Sequence, residues 1–241
     1  MKISLIVPAF NEEKLLPATL DSLRRASAAW HALGWETELI VCDNNSTDRT
    51  AALAQAGGAR VVFEPVNQIG RARNTGARAA TGDWLVFVDA DSQASPELFG
   101  DVAREIQSGR CLAGGVTIRL EGRHPGPSLV VAGWNFLSRT ARWVAGSFIF
   151  CEAAAFRQIG GFNQELFASE EIDLSTRLKK LARRCGRKVV ILHRHPLTTS
   201  ARKVHLYTPW EHIRFVARTV LLLGRPLRHR DACVTWYDGR R

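Results

Sequence analysis

The sequence predicts an α/β fold built on a mostly parallel central sheet with helices on both faces. Apolar runs of strand length alternate with helix-period segments at short intervals through the first 120 residues, which is the signature of strand–helix–strand units. The polar residues of this part cluster where those strands end, the place where ligands bind in such sheets. With 241 residues and 46% hydrophobic content, the chain is large enough for one substantial core.

The elements follow in order. Ile3 to Val7 is a continuous apolar run, and a helical stretch from Glu12 to Ala29 places Leu15, Leu16, Leu20 and Leu23 at core spacing. Glu38 to Cys42 reads as the second strand, after which Ser46 or Thr47 caps a helix running through Ala51 to Gly57. Val61 to Phe63 is a third strand, Asn67 to Ala80 a helix closed by Gly82, and Trp84 to Asp89 a fourth strand. The Gly- and Pro-containing stretch Glu121 to Ser128 is the expected seam between residues 1–120 and residues 121–241, two halves of one continuous domain. Beyond it come a strand at Ser147 to Cys151, a helix from Glu171 to Cys185, a strand at Val189 to Leu192 and a last helix from Pro209 to Leu223.

Composition narrows the setting. Five cysteines with no CxxC pair argue against a disulfide framework and for a reducing cytoplasm. The apolar stretch in MKISLIVPAFNEE is too short for a signal sequence, and the run FVARTVLLL carries Arg218, so no membrane span is expected. Charge is uneven: from Arg183 to Arg241 there are 14 Lys and Arg against Glu211, Asp231 and Asp238, a net of +11, and the preceding residues hold 19 basic and 20 acidic groups. A basic tail of that kind suits an anionic membrane surface or a diphosphate, or simply a solvated face.

Asp89 and Asp91, flanking Ala90 at the end of WLVFVDAD, leave the strand on the same side, so one divalent cation and its phosphates can face both carboxylates. Pro8, Ala9, Asn11 and Glu12 follow the first strand, and Asp43 and Asn45 the second, so all of these should line one crevice. Asp43 is placed to accept hydrogen bonds from a ribose or a base N–H. On the helix after Asn67, Arg71, Asn74 and Arg78 share a face, and Arg71 and Arg73 either orient donor phosphates or face solvent.

Four stretches in a fixed order, VPAFNEE, VCDNNSTD, GRARNTGARAATGDWLVFVDAD and GGFNQELFASEEIDLSTRLKK, resemble glycosyltransferase family 2. The resemblance implies a GT-A fold, Rossmann-like, with an acceptor-side C-terminal region. It implies transfer of a sugar from a nucleotide-diphosphate sugar, a UDP- or GDP-sugar, to an acceptor hydroxyl, with Mg or Mn. Where the family often has Asp-Asp-Gly-Ser, this chain has Asp43, Asn44, Asn45 and Ser46; Asn tolerates the left-handed backbone that Gly favours, so the turn is expected to persist. In the family a Glu-Asp pair opens a helix and its second acid is the general base. The matching positions are Glu170 and Glu171, making Glu171 the expected base with Glu170 or Asp173 as alternatives. A third metal ligand, commonly His, comes from the region matched by LHRHPLTTSARK, which makes His193 the first candidate and His195 the second. Thr199, Ser200, Arg202 and Lys203 form a basic loop that closes over the diphosphate.

The last helix either lies on an anionic membrane surface near a lipid acceptor or packs on the core, so the protein is expected in the cytoplasm, with peripheral association at the inner face of the membrane. The acceptor, polysaccharide, lipid or small molecule, stays open, and no nucleic acid is expected. Two rival readings remain: a sugar-phosphate nucleotidyltransferase, which would need a Gly-rich basic loop where this chain has PAFNEE, and a non-catalytic basic module that binds lipid or nucleic acid.

Overall fold

The computed structural model describes residues 1–122, 125–144, 146–202 and 225–229, together with Asp231 and Cys233. The helix expected at 209–223, Lys203 and most of the basic tail lie outside the described residues. The elements are β1 (Lys2–Ala9), α1 (Leu16–His31), β2 (Glu36–Asp43), α2 (Thr50–Ala56), β3 (Arg60–Phe63), α3 (Ile69–Ala79), β4 (Trp84–Val88), β5 (Ser92–Gln93), α4 (Pro96–Gln107), β6 (Cys111–Leu120), α5 (Pro125–Ala141), β7 (Phe148–Glu152), α6 (Ala153–Gln158), α7 (Glu170–Arg184) and β8 (Lys188–Thr199), followed by a short 3-10 turn at Arg225–Arg228.

All eight strands join one sheet in the order β3-β2-β1-β4-β7-β6-β8-β5. Four neighbouring pairs are parallel and three are antiparallel, the antiparallel ones arising because β7 runs against both β4 and β6 and β5 runs against β8. Side chains of successive residues leave β1 on opposite faces. Ile3, Leu5 and Val7 meet Leu16, Leu20, Leu23 and Trp30 of α1 and Phe99 of α4 in one core, and Ile6 joins Leu174 and Leu178 of α7 and Phe156 of α6 in the other. Trp30 stacks on Phe99 at 3.9 Å between centroids and donates its indole N–H to the Phe99 carbonyl at 2.8 Å, so this buried aromatic pair leaves no polar atom orphaned.

Three sequence expectations are corrected. Residues 125–128, expected within a seam, are the first turn of the 17-residue α5, whose prolines suit a helix start where N–H groups lack partners anyway. Ser46 and Thr47 do not cap α2. Asp48 Oδ1 accepts the Thr50 N–H at 2.9 Å, and Ser46 Oγ instead accepts the Asn11 N–H at 3.0 Å, stitching the ends of β1 and β2 together. The strand expected at 189–192 continues as β8 to Thr199, and that extension carries it to the end of the β4 turn.

Helix α3 lies so close to β1 that a Cβ on Gly76 would sit 2.4 Å from Cγ2 of the fully buried, β-branched Ile6. Gly76→Ala is therefore expected to destabilise the protein by about 1–3 kcal/mol, since Ile6 has no free rotamer to retreat to. Gly133→Ala on α5, where nothing lies within 4 Å, is expected to be neutral or stabilising by up to about 1 kcal/mol. Urea unfolding of both variants checks the contrast, and equal midpoints would show that α3 and β1 are not in such close contact.

Candidate active site

β4 ends at Val88, and Asp89, Ala90 and Asp91 form the turn that follows. Backbone partners from three directions pin it. The Asp89 N–H donates to the Ser147 carbonyl at 3.1 Å, Thr19 Oγ1 donates to the Ala90 carbonyl at 2.8 Å, and the Ser200 N–H donates to the Asp91 carbonyl at 3.0 Å. Because β7 runs antiparallel to β4, the residues just before it, Gly146 and Ser147, arrive at the same end of the sheet as the two carboxylates.

Arg73 is the centre of the arrangement. It projects from α3 with only 1% of its side chain exposed, donating from Nη1 to Glu170 Oε1 at 2.7 Å and from Nη2 to Asp89 Oδ1 and the Gly146 carbonyl, each at 2.9 Å. Its Cζ lies 5.2 Å from the centre of the Phe162 ring. Burial opposes the charge, but the carboxylates of Asp89, Glu170 and Glu171 more than offset it and hold the guanidinium firmly protonated. Arg73 is thus not solvent-facing, one of the two placements the sequence left open; both of its Nη nitrogens are committed to the protein, while the buried Nε has no hydrogen-bond partner among the described residues. A Cβ at position 146 would meet Arg73 Nη2 at 3.2 Å, so glycine there leaves the guanidinium its room.

The three acids of α7 have different surroundings. Glu170 is buried in its ion pair with Arg73, and Asp173 is paired with Arg177 at 2.6 Å. The Glu171 carboxylate has no ion pair of its own within 4.0 Å among the described residues. Burial and then the Glu170 charge push its carboxyl up to about 8, with Arg73 pulling the other way. Ser169, immediately before these acids, holds φ at 62°, and Asn11 and Asn45 hold 52° and 66°. Left-handed backbone at a serine costs free energy, and its place beside the acids marks a strained, built turn.

The remaining expected residues divide into a crevice rim and internal braces. At the rim, Pro8 and Ala9 close β1, Asn44 N–H donates to the Ala9 carbonyl at 2.8 Å, and Asp43 Oδ1 accepts the Ser46 N–H at 3.1 Å. Asn11 Oδ1 accepts the Thr47 N–H at 2.8 Å, and Asn45 is exposed on its left-handed turn. Glu12 is buried and receives both guanidinium nitrogens of Arg202, whose Nη2 also stands 3.7 Å from Asp91 Oδ2. Asn74 is a brace, which corrects its assignment to the donor: its amide spans the Phe162 N–H and carbonyl at 2.9 and 2.8 Å. That clamp needs Gly161, where φ is 71° and a Cβ would lie 2.6 Å from Asn74 Oδ1. Arg71 pairs with Glu64 at 3.2 Å and reaches Gln164 at 3.3 Å. Sequence reasoning missed Asn44, which ties the backbone at Glu64, Val66 and Gln68, and it missed Gly146 and Ser147, whose carbonyls accept from Arg73 and from the Asp89 N–H.

The two histidines are displaced from the carboxylates. His195 Nδ1 is 3.0 Å from Asp101 Oδ2 on α4, and His193 is exposed in a groove of about 460 Å³ beside Arg104 and Glu105. Thr199, which pairs with Ser92, is where β8 meets the Asp89–Asp91 turn. His195 and His193 precede it by four and six residues, on the stretch between Leu192 and Leu197 where β8 bulges out of register with β6. Neither completes a metal site with Asp89 and Asp91. Among the described residues no group of three or more His, Cys, Asp and Glu could hold a metal ion. A hard cation such as Mg or Mn nevertheless fits the chemistry of two carboxylates on one turn, because these ions are commonly held by one or two carboxylates with diphosphate oxygens and water.

Residues 4–158 match the family model for glycosyl transferase family 2. An uncharacterized glycosyltransferase of Mycobacterium tuberculosis is 34% identical over 122 residues, 51% of this chain and 51% of that protein, so the chain spans about half the length of the curated relatives it matches. S. aureus TarS 1-349, solved with UDP-GlcNAc, is similar with a TM-score of 0.64 and 20% identity over 92% of this chain and 66% of that one. Glucosyl-3-phosphoglycerate synthase from M. tuberculosis, solved with Mn2+, UDP-glucose and phosphoglyceric acid, is similar with a TM-score of 0.58 and 20% identity over 92% of this chain and 78% of that one. At such identities the structures establish the shared GT-A architecture. The family match over more than half of the chain establishes the rest: the chain belongs to glycosyltransferase family 2.

Proposed function

We propose that the protein transfers a sugar from a UDP- or GDP-sugar to an acceptor hydroxyl with inversion, using Asp89 and Asp91 to hold Mg or Mn and Glu171 as the general base. The observation that carries this reading is the contrast among the α7 acids. Glu170 and Asp173 are neutralised by arginines, whereas Glu171 keeps an uncommitted carboxyl of raised proton affinity beside the metal-facing turn. Glu171 takes the acceptor O–H proton as that oxygen bonds to the anomeric carbon, and the bond from that carbon to the nucleoside diphosphate breaks. A bound cation supplies charge neutralisation for the departing diphosphate. Asp43 and the rim residues Pro8, Ala9, Asn11, Glu12 and Asn45 are read as the nucleoside's walls, with Arg202, Thr199 and Ser200 beside its phosphates. No helix among the described residues is long and apolar enough to cross a membrane. The net charge of +11 over residues 183–241 supports peripheral attachment at the cytoplasmic face.

Three outcomes are expected. UDP or GDP binds by calorimetry only with Mg or Mn, because diphosphate and the two carboxylates repel one another; unchanged affinity in EDTA, or in an Asp89→Ala plus Asp91→Ala variant, would remove the metal assignment. Glu171→Gln keeps metal-dependent nucleotide binding and loses transfer by about a hundredfold or more. Glu170→Gln, which leaves buried Arg73 one counter-charge short, chiefly loses stability, by up to about 3–5 kcal/mol. A Glu170→Gln protein that is stable but inactive, beside an active Glu171→Gln protein, would exchange the two roles.

A fourth expected outcome concerns pH in the metal-free protein. The folded-state affinity of Glu171 for its proton is raised, so its contribution to stability is fully present below about 4.5 and is lost as pH rises towards about 8. Glu171→Gln should therefore melt higher than the wild type by a margin that widens from pH 5 to pH 8. A constant margin in thermal scans across that range would mean the carboxyl titrates normally.

A further inference from the structure

Helix α5 carries no acidic residue and turns an apolar face to solvent. Four of the eight exposed large hydrophobic side chains of the described residues lie on it: Leu129 at 76% exposure, Val130 at 74%, Phe136 at 71% and Leu137 at 43%. Their direction is fixed from the opposite side of the helix. Asn135 Oδ1 accepts the Ile118 N–H at 3.0 Å and its Nδ2 donates to the Ile118 carbonyl at 2.8 Å, a two-point clamp to β6 that sets the rotation of α5. At about 100° per residue the four apolar side chains fall within about 120° of arc centred opposite Asn135. They form one stripe along a convex surface rather than a scatter of isolated residues.

The chemistry around the stripe favours one occupant. No acid occurs in the sequence between Glu121 and Glu152, while Arg139 and Arg142 stand at the C-terminal end of α5. Lys179 of α7 donates to the Ala141 carbonyl at 2.9 Å, and burial together with the charges of Arg183 and Arg142 lowers its pKa, so several cations crowd that end. A second copy of the chain seated there across a twofold axis would bring those cations against their own counterparts with no acid from this segment between them. Apolar side chains inserted beside cations that have no ion pair among the described residues match the interface of an anionic bilayer, where a helix lies in the plane of the headgroups. The same helix leads into the site: the Val144 N–H donates to Ser175 Oγ at 3.0 Å, the Gly146 carbonyl accepts from Arg73, and the Ser147 carbonyl accepts from Asp89.

We propose that the outward face of α5 is a membrane-docking surface that seats Leu129, Val130, Phe136 and Leu137 among the headgroups of an anionic lipid bilayer and presents the Glu171 side of the crevice to a lipid-linked acceptor. The docking stands on α5 alone; the acceptor class rests on the reading of Glu171 as the base.

Flotation of the full chain with vesicles of phosphatidylcholine and phosphatidylglycerol in equal parts tests it, against vesicles of phosphatidylcholine alone. The wild type should float with the anionic vesicles, and Leu129→Ser plus Phe136→Ser, both at exposed positions, should lower the bound fraction by about tenfold or more. That variant should keep Mn-dependent UDP or GDP binding, which shows that it is folded, and Asp91→Asn, which leaves both counter-charges of Arg73 in place, should float like the wild type. A wild type that floats with the anionic vesicles yet binds neither UDP nor GDP with Mn would sink the transferase reading and leave the docking intact. Equal flotation of the Leu129→Ser plus Phe136→Ser variant and the wild type would overturn the proposal and leave attachment to the basic tail. Absence of flotation, with a wild-type dimer that the variant converts to monomer in light scattering, would overturn it in favour of self-association.

Discussion

The buried charge of Arg73 is the constraint on which the site depends. A guanidinium with 1% of its side chain exposed is tolerable only if its counter-charges are held at hydrogen-bond distance, and Asp89 and Glu170 supply them from the end of β4 and the start of α7. One side chain of α3 therefore fixes the spacing between the Asp89 carboxylate and the helix that carries the acids. It also divides the acids by function. Glu170 is consumed as a structural counter-ion, and Glu171 lies near enough to feel both charges yet has no ion pair of its own among the described residues.

The sheet topology decides what else reaches that point. Three parallel strands, β2, β1 and β4, deliver the rim residues in the manner expected of an α/β sheet. The antiparallel β7 brings the loop before it to the same edge, so carbonyls of Gly146 and Ser147 help hold Arg73 and Asp89. The pairing of β5 with the end of β8 fastens the Asp89–Asp91 turn from the far side and brings Arg202 against Glu12 and Asp91. The turn is thus framed by groups from both halves of the chain, which suits a site that must meet a donor on one side and an acceptor on the other.

Charge is spent differently in the two regions. In the crevice nearly every charge is paired: Glu12 with Arg202, Glu64 with Arg71, Glu170 with Arg73. Along α5 and the end of α7 cations outnumber acids, and they border an apolar stripe rather than partners of opposite sign. Pairing rigidifies the chemistry, and unpaired cations on an apolar rim suit a soft, anionic surface.

The sequence by itself determined the alternation of strands and helices through the fourth strand, the carboxyl-end position of Asp43, Asp89 and Asp91, and the family to which the chain belongs. Those features are local: periodicity sets a strand or helix, a turn sits where Gly or Asn tolerates positive φ, and family motifs are contiguous. It missed β5, β6, α5 and α6, where Pro, Gly and small residues break the periodicity, and it missed α4 although Ser95 caps that helix and its apolar residues recur at helical spacing. It could not separate Arg73 from Arg71, which differ by two positions on one helix, yet one is buried among carboxylates and the other is partly exposed. Nor could it show that Asn74 clamps Phe162 or that His195 turns to Asp101. Those outcomes belong to the tertiary structure, because the partners lie 88 and 94 residues away and only the register of β8 and the rotation of α3 decide which polar groups meet.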